Sequence, residues 1–168
     1  MAKIAQVYWD TCAWLGLING ELDKRRELEL IYDAARKGNY EIWTSSWTMV
    51  ECYRQGSEQQ MPRPLPAEGF AKIRKFFQQS FIKTTPVDSI IAIRATELLR
   101  ETPGLTKKGD AIHLASALWW SVDALHTYDG NDLLHLSFKF ADRKGRLLQI
   151  CTPNEATDGP LFAKARGA

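Results

Sequence analysis

The sequence predicts an α/β fold, a three-layer α/β/α sandwich around a central parallel sheet. Two patterns carry that expectation. Short β-branched and aromatic segments alternate with longer segments of helical periodicity, an order that gives a parallel sheet covered on both faces. One helical segment, residues 109–121, is apolar almost all round, as a helix packed on several sides should be.

Residues 4–10 read as a strand, rich in β-branched and aromatic side chains and ending at Asp10. A short helix over 11–18 follows, closed by Asn19-Gly20. The spacing of Leu28, Ile31, Tyr32 and Ala35 predicts a second helix over about 23–37, stopped by Gly38-Asn39. Residues 40–44 form the next strand, and Ser45-Ser46 caps a helix holding Trp47, Met49, Val50 and Tyr53. Three prolines within 61–66 forbid a continuous helix and favour an extended loop, too short for a domain boundary. A helix over 67–79, a strand over 81–85 and an amphipathic helix over 88–100 come next, the last ended by Pro103-Gly104. After the apolar helix, 123–127 is a strand, 128–131 a turn, and 147–150 a last strand stopped by Pro153. Residues 1–153 therefore make one domain, and 154–168 a tail expected to be loosely ordered.

Composition sets the outer bounds. A chain of 168 residues can bury a sizeable core without staples. Its net charge of +2 is too small to announce nucleic-acid binding, so any basic surface must be local. Cys12, Cys52 and Cys151 are scattered and form no CxxC pair, which argues against a zinc knuckle or a disulfide framework. They read as small core residues in a reducing cytoplasm. Asp10 interrupts the first apolar run before a signal peptide could form, and no stretch nears the roughly 20 apolar residues of a membrane span. The expectation is a soluble, cytoplasmic protein without a membrane partner.

In parallel α/β sheets ligands bind beyond the C-terminal strand ends, near the switch in strand order. Four acids fall there: Asp10 after the first strand, Glu51 at the margin of its helix's apolar stripe, Asp110 opening the apolar helix, and Asp129 after the 123–127 strand. Each has an ordinary structural reading. Asp10 and Asp110 suit helix caps, Asp129-Gly130 suits a turn, and Glu51 suits a surface pair with Arg54. Their joint placement is the signal. Carboxylates held together raise one another's pKa unless a cation neutralises them. An all-oxygen donor set favours Mg²⁺ or Mn²⁺, ions that activate water and clamp the oxygens of a phosphoryl displacement.

Other groups compete for attention. His113, three residues after Asp110, is either a general base or, the reading favoured here, a hydrogen-bonded core residue. Cys12 has no partner for a Cys-His mechanism and is expected to be buried. Lys107, Lys108 and Arg54 are candidate phosphate contacts, and Lys72, Arg74 and Lys75 form a second basic cluster, although such runs are usually solvated faces. Trp47, Trp119 and Trp120 read as core packing rather than base-stacking platforms.

Trp9-Asp10-Thr11 after a strand, Glu51 in an early helix, Gly109-Asp-Ala-Ile-His-Leu-Ala-Ser-Ala117 and Thr127-Tyr-Asp-Gly-Asn-Asp132 together resemble the motifs of PIN-domain nucleases. The VapC-type ribonuclease toxins resemble it best, and the order of motifs spans residues 5–153. The Asp-Ala-x-His-Leu-Ala-x-Ala stretch is the most specific. The resemblance implies a PIN-like fold and Mg²⁺- or Mn²⁺-dependent cleavage of RNA. It implies Asp10 and Asp129 as direct ligands, Asp110 as ligand or orienting group, and Glu51 either binding a second ion or positioning the water. Thr127 and Thr11 become supporting hydroxyls, and either Asp129 or Asp132 supplies the last carboxylate. It also implies a small protein inhibitor, an antitoxin, over the acidic site, and a homodimer. A PIN-type nuclease of RNA processing without an antitoxin, and a non-catalytic binding domain, are the alternatives.

Overall fold

Side chains of a strand point alternately to the two faces of its sheet, and a strand apolar on both must be covered twice. Strand β1 (Ala5–Trp9) is of that kind: Ala5, Val7 and Trp9 enter one core, Tyr8 the other. The computed structural model describes residues 3–154; the rest of the expected tail, 155–168, lies outside the described residues. Around β1 are β2 (Tyr40–Ser45), β3 (Ile82–Thr85), β4 (Ala124–His126) and β5 (Gln149–Cys151). They form one sheet in the order β3-β2-β1-β4-β5, parallel throughout, with Val7 opposite both Ile42 and Ala124.

Helices α1 (Thr11–Asn19), α2 (Arg25–Arg36) and α4 (Ala67–Phe77) close the first face. Trp14 of α1 is its centre, with the rings of Trp9 at 5.1 Å and Phe77 at 4.6 Å. Its truncation to Ala would cost about 3–5 kcal/mol. Helices α5 (Ser89–Glu101) and α6 (Lys108–Trp119) close the second face, and α3 (Ser46–Glu51) leads off β2. The α6 sequence is apolar all round because it lies between the sheet and α5; residues Ala111 and His113 to Leu118 are all buried. The predicted three-layer α/β/α sandwich is the observed one.

Some boundaries and packing differ from expectation. Helix α3 ends at Glu51, leaving Tyr53 beyond it and 46% exposed. Helix α6 stops at Trp119 because Ser121 turns to a positive φ of 51°. Trp120, expected in the core, is instead a surface residue whose ring lies 5.7 Å from that of Trp43. Trp119 is half-buried under the Arg143 guanidinium. Of the cysteines Cys52 is buried, whereas Cys12 and Cys151 are half-buried. Among the described residues no helix is long and apolar enough to cross a membrane.

The topology positions the site. From β1 the chain steps outward through β2 to β3, then crosses back to lay β4 on β1's other side. Strand order therefore switches between β1 and β4. Asp10 leaves β1 and Thr127 leaves β4 at this point, tied by the Asp10 amide donating to the His126 carbonyl at 3.3 Å.

Candidate active site

Asp10 is buried, 2% exposed, and it does cap α1: its Oδ1 accepts the Ala13 amide at 3.1 Å. The Cys12 thiol donates to both carboxylate oxygens, at 3.0 and 3.1 Å, while its sulfur accepts the Tyr128 amide at 3.3 Å. Burial, followed by the charge of Asp10, pushes the Cys12 thiol up to about 12. It is a protonated donor that braces Asp10 against the loop after β4.

Asp110 behaves differently. It is the third residue of α6, whose N-cap is Lys107, so the capping explanation does not hold for it. Its Oδ2 is buried without a hydrogen-bond partner. Burial and then the neighbouring Asp129 push its carboxyl up to about 7; His113 and Lys107 oppose the rise, and Asp10 adds to it. A position in the first helical turn helps an anion by about 0.3–1 kcal/mol, too little to cancel such surroundings.

Asp129 and Asp132, between which the sequence does not choose, both come to Asp110. One oxygen from each of the three lies within 4.8 Å of the others. Their engagements separate them. Asp132 Oδ2 accepts the amides of Thr106 and Lys107, both at 2.8 Å, and the Thr106 hydroxyl at 3.1 Å, which fixes the loop entering α6. Asp129 Oδ1 accepts the amides of Asn131 and Asp132 at 3.0 and 2.8 Å, the expected turn. Its Oδ2 faces the cleft and accepts Lys107 Nζ at 2.6 Å. Burial works against the Asp129 charge, but Lys107 and the Asp132 amide hold its carboxyl below the ordinary range. Asp10 lies outside this triplet, yet close enough for its charge to act on Asp110.

Glu51 occupies the adjoining wall. It accepts the Thr11 hydroxyl at 2.8 Å and pairs with His113 Nε2 at 3.0 Å; Arg54, the partner in its ordinary structural reading, donates instead to the Gln59 carbonyl. Burial would raise Glu51, but His113 and Thr11 hold it below the ordinary range. A Cβ at Gly109 would stand 3.0 Å from Glu51 Oε2 and from Trp47 Nε1, so glycine lets α6 start against that wall. His113 is the buried, hydrogen-bonded residue expected. It also links Tyr8, whose hydroxyl meets Nδ1 at 2.9 Å, to Glu51. Burial disfavours its charge, but Tyr8, Glu51 and Asp10 outweigh burial and raise it to about 10. With one ring nitrogen on Tyr8 and the other on Glu51, the buried ring has no free nitrogen to take a substrate proton. Thr127 Oγ1 accepts the Asp129 amide at 2.9 Å and so holds the turn that carries Asp129.

Sequence reasoning alone misses Cys12 as a brace and Lys107 as an ion-pair partner inside the cluster. The i,i+3 spacing of Lys107 and Asp110 was the available signal for the latter. The arrangement fits a divalent cation. The donors are all oxygen, suited to Mg²⁺ or Mn²⁺. A buried carboxylate oxygen without a partner, on an acid destabilised by its neighbours, is what such an ion would relieve. A separate groove between α5 and α6, lined by Ile90, Ile93, Leu118 and Trp119, is largely apolar and lies on the helical layer.

A parallel α/β sheet with carboxylates gathered at its switch point defines a class of acidic-cleft α/β domains. The comparisons narrow it. The PIN domain family matches residues 7–139, and the chain belongs to that family. Its fold is similar to that of VapC20 of Mycobacterium tuberculosis, a sarcin-ricin-loop-cleaving toxin, at 15% identity and a TM-score of 0.58, over 74% of this chain and 91% of that one. It is similar to VapBC2 of Rickettsia felis bound to a promoter DNA fragment, at 16% identity and a TM-score of 0.55, over 86% and 98%. A toxin–antitoxin complex from Klebsiella pneumoniae gives 21% identity and a TM-score of 0.53, over 75% and 88%. No curated protein matches the chain.

Proposed function

We propose that this protein is a divalent-metal-dependent endoribonuclease, the toxin of a toxin–antitoxin pair, acting in the cytoplasm. The observation that carries this reading is the buried Oδ2 of Asp110, without a hydrogen-bond partner and set beside Asp129, on a carboxyl raised to about 7. Membership of the PIN domain family supports nuclease chemistry, and the Rickettsia and Klebsiella neighbours, solved with their antitoxins, support an inhibitor partner. The unit that carries the activity is residues 1–153.

Asp10, Asp110 and Asp129 would hold a Mg²⁺ or Mn²⁺ ion. When bound, the ion supplies Lewis acidity and eases deprotonation of water. The chain's own groups do the rest. Asp129 is the acid after β4 assigned to the ion, because its Oδ2 meets the exposed Lys107 ammonium, whereas buried Asp132 meets two amides and the Thr106 hydroxyl with Oδ2 and the same hydroxyl with Oδ1. Cys12 holds Asp10 in one orientation. Hydrogen bonds from Thr11 and His113 favour the ionised form of Glu51, so Glu51 orients the attacking water or joins a second ion. The sheet and α6 fix these groups on rigid elements, which sustains attack geometry.

The test is cleavage of RNA by the purified chain with Mn²⁺, with and without a chelator. Metal-dependent cutting that Asp10→Asn abolishes is expected. Full activity in excess chelator would refute the reading.

A further inference from the structure

Three carboxylates converge on a single lysine at the cleft. Asp132 holds the Lys107 amide at 2.8 Å, so the residue is fixed in place. Its ammonium crosses to Asp129 Oδ2 at 2.6 Å and stands 3.9 Å from Asp110 Oδ2. Those two oxygens are the ones their acids have left for a ligand. Asp129 Oδ1 is taken by two amides, and Asp110 Oδ2 has no hydrogen-bond partner. An ammonium and a divalent ion therefore need the same atoms. The Lys107 side chain is 59% exposed on a flexible stem, so its release is inexpensive, while its anchored backbone keeps the freed charge at the mouth of the cleft.

We propose that Lys107 is an internal counterion: it competes with the divalent metal for Asp129 and Asp110 and, once displaced, contacts a phosphate of the incoming RNA. The inference rests on the metal-dependent ribonuclease reading and adds a residue to it. In the metal-free protein Lys107 neutralises part of the cluster's charge. In the loaded protein the same side chain becomes a substrate-positioning cation.

Two measurements on the full chain test it. Mn²⁺ affinity, read without RNA by electron paramagnetic resonance, should tighten about two- to fivefold in Lys107→Met, the range an exposed ion pair supports. Lys108→Met removes an equal charge from an exposed neighbour and should leave the affinity unchanged. At saturating Mn²⁺, binding of an uncleavable 2′-O-methyl RNA should weaken in Lys107→Met, with its salt slope reduced by roughly 0.7, the value for one phosphate contact on a single strand. Unchanged or weaker Mn²⁺ affinity in Lys107→Met, an equal gain in Lys108→Met, or an unaltered salt slope would overturn the inference and leave the nuclease reading standing. If neither the parent chain nor Lys107→Met binds Mn²⁺, both readings fall.

Discussion

The two edges of the sheet both carry enclosed carboxylates, and they part company at Asp110. At the N-terminal edge, Asp123 accepts Lys3 Nζ at 2.8 Å, Arg146 Nη1 at 3.0 Å and the Gln6 amide at 2.9 Å. Nearby Asp142 accepts the Lys144 and Arg146 amides and the Arg146 guanidinium. Burial opposes both charges, yet these partners hold both acids below the ordinary range. At the C-terminal edge, Asp110 has burial and other carboxylates for company and is raised to about 7. The difference separates two uses of one side chain. A carboxylate with matched donors fastens the chain, whereas one set against its own kind bears its charge at a cost that a proton or a cation relieves. Acid content alone does not mark a site; a buried carboxylate oxygen that no donor reaches, as at Asp110, does.

The contrast can be broken at either edge. The largest effect is expected on cleavage: Asp129→Asn should lower the metal-dependent rate on the order of a hundredfold or more, the scale of losing one preorganised charge stabiliser. Asp123→Ala should leave the rate per folded molecule and the Mn²⁺ affinity unchanged. It should instead cost about 2 kcal/mol in denaturant unfolding, because Arg146 and the Gln6 amide lose their acceptor. A site variant that only unfolds, or a fastening variant that only loses activity, would erase the distinction.

Asp110→Asn should act with the opposite sign on stability. A carboxyl raised to about 7 stays protonated in the native state above its unfolded pKa of about 4. Between those values the native state binds more protons than the unfolded state, so metal-free stability falls as pH rises through the window. Asp110→Asn should flatten that fall and, at pH 8, raise the metal-free unfolding free energy by on the order of 2 kcal/mol after allowance for screening, seen as a higher melting temperature. Glu51 and Asp129, held low, contribute stability that is lost only below about pH 4, outside this window. The smallest effect concerns Cys12. Cys12→Ser keeps a donor to Asp10 and should change Mn²⁺ affinity little, whereas Cys12→Ala should weaken it by up to roughly tenfold, the low end for removal of a group that orients a ligand.

Much of this was legible before the structure. Alternation of short β-branched segments with helices fixed the layers, and the all-round apolar sequence of Gly109 to Ser121 announced a helix buried between sheet and neighbour. That Asp10 and Asp129 follow strands at the switch point, and that Asp110 opens the apolar helix, was legible from the order of the elements. The boundaries were less so. The left-handed turn at Ser121 and the early end of α3 arise from packing that local periodicity does not record. Trp120 was misplaced because an aromatic ring satisfied by another at the surface looks, in sequence, like a core residue. The distinction between Asp129 and Asp132 was hidden because it depends on amides at Thr106 and Lys107, about 25 residues upstream. Cys12 and Lys107 escaped for a related reason: a thiol or ammonium acquires its role only when a distant loop arrives beside it.

The central claim is that the acids at the β1–β4 switch point hold a divalent ion while those at the opposite edge hold only the chain. Anomalous diffraction from a crystal soaked in Mn²⁺ addresses both halves at once. The account predicts a peak ligated by oxygens of Asp10, Asp110 and Asp129, with no peak at Asp123 or Asp142. A fully soaked crystal with no peak in the cleft, or one with its ion at the Asp123 edge, would contradict it.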